Sequence, residues 1–441
     1  MNVRKQSYIT GRGAGEIAAS IERGIRESRL PPGSRLPTVR ELAARLEVSP
    51  TTVAAVYRDL GRRGMVSAAG RLGTTVSFRP PVATSWRPVF APGVRDLASG
   101  NPDPELLPDL GEALVAVQVP PILYGQRAND PELVEVARGR LHRDGVAADH
   151  LTVVGGAMDG VERALQAHLR TGDRVAVEDP GYPGVLDLLA TMGLVPCPVA
   201  VDDRGPDPQS LAAALGRGVS AFVLSPRAEN PYGSALDRAR AGELRRVLDQ
   251  HPEVLVVEDD HAGEIAGTAP FSVSRGERER WVVIRSVSKS LGPDLRLAVV
   301  GGDATTIARV EGRRLVGTGW VSHLLQRLVV WLWSDPATPA RLERAARTYA
   351  ERRGALLDAL AGHGIAAHGR SGFNVWVPVA HEDGTVAALL DAGWGVLAGE
   401  RFRIGSGRAI RVSAATLAPA DAERFAADLA AALSTAPARI A

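Results

Sequence analysis

Lysine is nearly absent from this chain. Of 52 basic side chains in 441 residues, only Lys5 and Lys289 are lysines. Lys289 stands in VVIRSVSKSLGPDLRLAVVGGD, residues 282–303. A lysine amine condenses with an aldehyde, whereas an arginine guanidinium stays protonated and does not. Ser286, three residues before it, and Arg296, seven after it, are donors suited to a phosphate. An aldehyde and a phosphate on one small molecule describe pyridoxal 5′-phosphate (PLP). Lys289 therefore reads as its anchor, at a position where arginine will not serve. A merely solvated lysine is the poorer reading in a chain that uses arginine almost everywhere else.

Other short strings supply what PLP needs. GGAMDG, residues 155–160, opens a helix at Gly156 and Ala157, whose backbone N–H groups and helix dipole can hold a phosphate. VVEDDHAGE places Asp259 where a carboxylate would keep a pyridine nitrogen protonated. EDPGYPG offers Tyr182 to stack on a ring, and SPRAENPYG offers the Asn230 amide to a phenolic oxygen. Singly, an aspartate after a strand is usually a cap and a Pro-Gly-Tyr usually a turn. In this order along the chain, they point to one site.

The elements that must position these residues are short apolar runs alternating with helical segments: LTVVGG, RVAVED, AFVLSP, VLVVEDD, WVVIRS and LAVVGG. Such runs predict a largely parallel sheet covered on both faces, with ligands at the carboxyl ends of its strands. The single cysteine, Cys197, excludes an internal disulfide and fits a reducing cytosol. No run of about eighteen apolar residues predicts a membrane span, and MNVRKQSYIT lacks the apolar core of a secretory signal.

The first 78 residues differ from the rest. They hold thirteen Lys or Arg against six Asp or Glu, a net +7, so the whole-chain value of +2 leaves −5 for the remainder. A basic head suggests a polyanion partner. Ile17, Ile21 and Ile25 recur at one-turn spacing and predict a first helix. Thr38 and Glu41 form a capping-box pattern that starts a second. Ser49 is an N-cap for a third, in which Val53, Val56, Tyr57 and Leu60 share one face. MVSAAGRLGTTVSF then reads as a hairpin with a glycine-rich tip. This order predicts a winged helix-turn-helix with the third helix in the major groove of double-stranded DNA. Arg40, Ser49, Thr51, Thr52 and Arg71 are the candidate DNA contacts, although each arginine alone reads equally as a solvated face. A proline-rich stretch over residues 79–95 reads as a semi-rigid linker.

The head, through PPGSRLPTVRELAARLEVSPTTVAAVYRDLGRRGMVSAAGRLGTTVS, resembles the GntR family of bacterial repressors, although Pro50 and Ala54 stand where many relatives carry arginines. The body, residues 96–437, resembles the fold-type I PLP-dependent aminotransferases. That resemblance implies an α/β fold with a large part over about 125–315 and a small α+β part over about 316–437. It also implies Lys289 as the catalytic lysine carrying the internal aldimine, Asp259 at the pyridinium nitrogen, Asn230 at the phenolic oxygen and Tyr182 on the ring. Gly156, Ala157, Ser286 and Arg296 would hold the phosphate, and Tyr124 would reach the phosphate of a neighbouring subunit in a homodimer. Arg411 would pair with the carboxylate of an amino acid, but reads equally well as a surface arginine on a C-terminal strand. His261 replaces the usual tyrosine near the phenolic oxygen, and its imidazole is expected to shift the pKa of the lysine-bound cofactor.

Joined on one chain, the halves resemble the MocR family of transcriptional regulators. The resemblance implies that PLP, or its external aldimine with an amino acid or amine, acts as effector in a cytoplasmic homodimer. Two rival readings are a working aminotransferase with a vestigial or tethering head, and a DNA-binding protein whose body is only a dimerisation scaffold.

Overall fold

A computed structural model describes residues 9–26, 29–31, 33–62, 64–68, 73–77, 90–274 and 278–435. Arg71 and residues 79–89 of the expected linker lie outside the described residues. The chain divides into two compact units, a smaller one that contains the N-terminal segment and a larger one.

The N-terminal unit contains α1 (Ala14–Arg26), α2 (Val39–Leu46), α3 (Pro50–Arg62) and the strands β1 (Val66–Ala68) and β2 (Thr74–Val76). Ile17, Ile21, Val53, Val56 and Leu60 are buried together, each aliphatic side chain contributing about 1.5–3 kcal/mol. The Tyr57 hydroxyl donates to the Pro37 carbonyl at 2.7 Å, tying α3 to the entry of α2. The capping box is formed: Glu41 N donates to Thr38 Oγ1 at 3.3 Å, and Thr38 N donates to Glu41 Oε2 at 2.8 Å. Glu47 turns the chain with φ 55°, and Thr52 N donates to Ser49 Oγ at 3.1 Å to cap α3. β1 and β2 pair antiparallel, and Leu36 N donates to Thr74 O at 2.8 Å, which adds a third run to the wing.

The body opens with β3 (Arg95–Asp96), α4 (Leu110–Ala116), α5 (Pro131–Arg143), β4 (His150–Val154), α6 (Ala157–His168) and β5 (Arg174–Asp179). It continues with α7 (Pro183–Thr191), β6 (Val195–Asp202), β7 (Gly205–Pro206), α8 (Pro208–Leu215), β8 (Ala221–Leu224), α9 (Arg238–Leu248), β9 (Leu255–Asp260), β10 (Trp281–Ser286), β11 (Ala298–Gly302), α10 (Ala304–Val316) and α11 (His323–Ser334). The last part holds α12 (Thr338–Gly362), β12 (Asn374–Pro378), α13 (Glu382–Asp391), β13 (Trp394–Gly395), β14 (Leu397–Ala398), β15 (Ala409–Ser413) and α14 (Pro419–Thr435).

One eight-stranded sheet runs in the order β4, β11, β10, β9, β8, β5, β6, β7. β5, β8, β9 and β10 are parallel, as the continuous apolar runs predict. β11 is antiparallel to both of its neighbours. It follows β10 through a short connection, too short to cross back over the sheet as a parallel strand requires. Its first residue thus lies at the edge where the parallel strands end. A second, three-stranded sheet of β12, β15 and β14 forms the small part. Residues 90–95, read as linker from the sequence, already pack on the body. The Phe90 ring occupies the space a Cβ on Gly395 would fill, and β3 pairs parallel with β13. Among the described residues no helix is long and apolar enough to cross a membrane.

Candidate functional site

A cavity of about 240 Å³ opens at the carboxyl ends of the parallel strands. Lys289, Asp259, Asn230, Tyr182, His261, Ala157, Ser286 and Arg296 line it. The reason is topological, since each of Asp259, Tyr182, Asn230 and Lys289 sits at or just past the end of β9, β5, β8 or β10. Arg296 reaches the same place because antiparallel β11 begins there.

At one end the site is built of donors. α6 starts at Ala157 behind Gly156, which caps it with φ 105° and no side-chain acceptor, so its first N–H groups remain open for an anion. A Cβ on Gly156 would stand 2.8 Å from Arg296 Nη2, so only glycine permits that arginine its place. Arg296 Nη2 donates to Gly155 O at 3.3 Å. Ser286 Oγ and Ser288 Oγ share a hydrogen bond of 2.9 Å, and Ser288 N donates to Ser286 Oγ at 3.2 Å.

At the other end lies Asp259. Strand alternation sends its side chain to the cavity and its neighbours to the opposite face. There Glu258 accepts from Ser274 N at 2.7 Å, and Asp260 pairs with Arg227 at 2.9 Å and Arg285 at 2.8 Å. Burial would raise the Asp260 carboxyl, but these two guanidinium groups hold it well below its ordinary range. Asp259 has no such partner. Burial pushes its carboxyl up, opposed by His261, whose Nδ1 is 3.9 Å from Oδ2. Among the described residues, Asp259 Oδ1 is buried with no hydrogen-bond partner. A buried acceptor left open costs about 1–3 kcal/mol, which a ligand N–H would relieve.

Lys289 Nζ donates to Gly100 O at 2.6 Å and stands 5.7 Å from the centre of the Phe373 ring. Arg411 is 1% exposed, which overturns its reading as a surface arginine. Its Nη1 donates to Asn230 Oδ1 at 3.3 Å and its Nη2 to Ala98 O. Tyr124 lies apart from the cavity, 92% exposed and edge-on to Trp320 at 5.4 Å. Sequence reasoning missed Ser288, Gly100, Asn101, Phe373 and Asn374, which also line the cavity. Ser288, adjacent to the lysine in SVSKS, was legible; the others come from distant segments whose local patterns carry no chemistry.

In the head, Arg40, Ser49 and Thr51 are exposed and Thr52 is half-buried. The Ser49 hydroxyl shares hydrogen bonds of 2.7 Å with both Thr51 and Thr52. A hydroxyl cluster at a helix start suits phosphate and base-edge contacts.

A helix-turn-helix head on a body of aminotransferase architecture defines a one-chain transcriptional regulator of the fusion type. Residues 14–76 match the gntR family of bacterial regulatory proteins, and residues 94–429 match aminotransferase class I and II. The vitamin B6 salvage pathway transcriptional repressor PtsJ of Salmonella typhimurium is 39% identical over 96% of this chain and 98% of that protein. The HTH-type transcriptional regulator TauR of Rhodobacter capsulatus is 31% identical over 80% of each chain. LysN of Thermus thermophilus, an alpha-aminoadipate aminotransferase solved with N-(5'-phosphopyridoxyl)-L-leucine, superposes with a TM-score of 0.68 at 23% identity, over 78% of this chain and 92% of that one. The chain belongs to the MocR-type family of transcriptional regulators, with a GntR head and a fold-type I aminotransferase body.

Proposed function

We propose that this regulator binds PLP at Lys289 and that its affinity for its operator answers to that binding, with PLP alone or carrying an amino acid or amine as the signal. The carrying observation is the open Oδ1 of buried Asp259, in one cavity with the rare lysine and a cluster of phosphate donors. In this reading Gly156, Ala157, Ser286, Ser288 and Arg296 hold the phosphate, and Asp259 keeps the ring nitrogen protonated. Asn230 and His261 stand at the phenolic oxygen, Tyr182 stacks on the ring and Arg411 takes an effector carboxylate. When bound, PLP supplies an aldehyde to the lysine and an electron-withdrawing ring to whatever amine follows. The name of the Salmonella relative, a repressor of vitamin B6 salvage, favours PLP itself as the primary signal.

The protein works as a cytoplasmic homodimer in this reading, Tyr124 reaching the phosphate in the partner subunit and two heads reading paired half-sites. Arg40, Ser49, Thr51, Thr52 and Arg71 are the proposed DNA contacts. A ligand shifts such an equilibrium only by its differential affinity for the two states. Fluorescence anisotropy on DNA from upstream of the protein's own gene, with and without PLP, tests the reading. Specific binding that moves with PLP, and ceases to move in Lys289→Ala, is expected. Equal operator affinity of the PLP-free and PLP-loaded protein would count against it.

The Arg411–Asn230 contact favours a second, compatible reading, residual transamination. Its test is conversion of the lysine-bound cofactor band on addition of amino acids, without added keto acid.

A further inference from the structure

Gly100 lines the cavity, and the short segment Ala98–Gly100 accepts from two of the three cations that a ligand would engage. Lys289 Nζ donates to Gly100 O at 2.6 Å, and Arg411 Nη2 donates to Ala98 O. Gly100 has φ 63°, and a Cβ there would stand 2.8 Å from Arg411 Nη1. The backbone is thus pressed against the guanidinium as only glycine allows.

The same segment is the end of the chain's path from the head. Phe90 covers Gly395, Arg95 N donates to Gly393 O at 2.9 Å and Leu97 N to Gly395 O at 2.8 Å. Ser413 N, two residues beyond Arg411 on β15, donates to Leu97 O at 2.8 Å. Asp96 Oδ1 then accepts from Ala98 N and Ser99 N, both at 2.8 Å, turning the chain into the cavity. Residues 90–100 therefore form a continuous strap from the expected linker to the lysine.

We infer that residues 95–100 are a strap that ligand binding releases, relaying occupancy of the Lys289 site to the linker and so to the DNA-binding head. The inference rests on the PLP reading above and adds the element that carries the signal. When a lysine ammonium condenses with an aldehyde, two of its three protons leave with the carbonyl oxygen as water, so the nitrogen keeps a single N–H in place of the three that could serve Gly100 O. A carboxylate at Arg411 competes directly with Ala98 O. Either event weakens or removes a charged hydrogen bond to the strap, and such bonds are individually stronger than neutral ones. The strap's remaining attachments are backbone pairs with β13 and β15, the buried Leu97 side chain and an Arg95–Asp421 ion pair, which a local opening must break.

The test is amide hydrogen exchange of the full-length protein with and without PLP, alongside an absorbance titration that reports PLP on the lysine. Exchange at Leu97, Ala98 and Ser99 is expected to rise about tenfold with PLP, while Val375 in β12 stays unchanged. Asp96→Ala, at an exposed residue outside the cavity, is expected to raise strap exchange about tenfold without PLP. It should shift the absorbance titration toward lower PLP, by no more than the factor by which the strap is loosened, and shrink the PLP response of operator binding several-fold. A normal absorbance titration with unchanged strap exchange overturns this inference alone. So does a loosened Asp96→Ala strap with a full operator response. Absence of any PLP band overturns the reading of the site, and this inference with it.

Discussion

Arg411 and Asn230, 181 residues apart in the chain, meet at 3.3 Å, the guanidinium Nη1 donating to the amide Oδ1. One residue belongs to the small part's central strand and the other follows β8 of the large sheet, so the contact joins the proposed carboxylate site to the proposed ring site. A hydrogen bond to a charged group is worth about 1.5–3 kcal/mol. Any amino-acid-induced spectral change of the PLP-loaded protein should therefore need roughly 10–100-fold more amino acid in Arg411→Lys, which lacks the planar fork. Uptake of PLP alone should be unaffected. Paired absorbance titrations measure both.

His261 stands close to Asp259, its Nδ1 3.9 Å from Oδ2. His261→Tyr should move the pH at which the lysine-bound cofactor changes its spectrum. A pH titration superimposable on that of the unaltered protein would remove any role for the imidazole in tuning it.

On the far face of β9, Asp260 is shared by Arg227 and Arg285, all three buried. Asp260→Asn leaves two buried guanidinium groups short of charge, with Asp144 still paired to both and Glu264 acting on them from nearby. The expected cost is about 3–5 kcal/mol in urea denaturation. PLP affinity of the folded fraction should change little, because Asp259 faces the other way.

Glu229, beside Asn230, is buried with Oε1 lacking a partner among the described residues, and burial pushes its carboxyl up to about 8. Glu178, also buried, is raised by burial and by Glu229 in turn. The unfolded chain loses the Glu229 proton near the ordinary value of 4.5, whereas the folded chain keeps it until about 8. Stability from this group thus falls as pH rises through that window and levels off above it. Glu229→Gln abolishes that loss and should be the more stable protein at pH 9, by on the order of 2 kcal/mol. Thermal unfolding at pH 5, 7 and 9 should show the gap opening in that direction.

In the head, Thr38→Ala removes the acceptor of Glu41 N and should cost about 1 kcal/mol of head stability without altering the cofactor titration. Arg40→Ala, in contrast, should weaken DNA binding uniformly across sequences and reduce the salt slope by about 1. Heat denaturation and anisotropy over a salt series separate the two effects.

Much of the site was legible in the order of residues, because strand ends announce themselves locally. A continuous apolar run followed by a polar residue fixes both the strand and the rim on which that residue sits, so Asp259, Asn230, Tyr182 and Lys289 could be named before any fold was known. The caps at Thr38 and Ser49 were legible for the same reason, since each is a bargain between residues three positions apart. A rare lysine in an arginine-rich chain added chemistry that no periodicity encodes.

What the tertiary structure alone decided are the pairings across long loops. Whether Arg411 faces water or the interior depends on whether both faces of β15 are covered, as they are here, and a lone strand at the end of a sequence does not say. The antiparallel course of β11 depends on a connection length acting together with sheet order. The Ala98–Gly100 strap carries no charged side chain to mark it. Its carbonyls become acceptors only when the fold brings Lys289 and Arg411, 189 and 313 residues further on, against a backbone that glycine leaves bare.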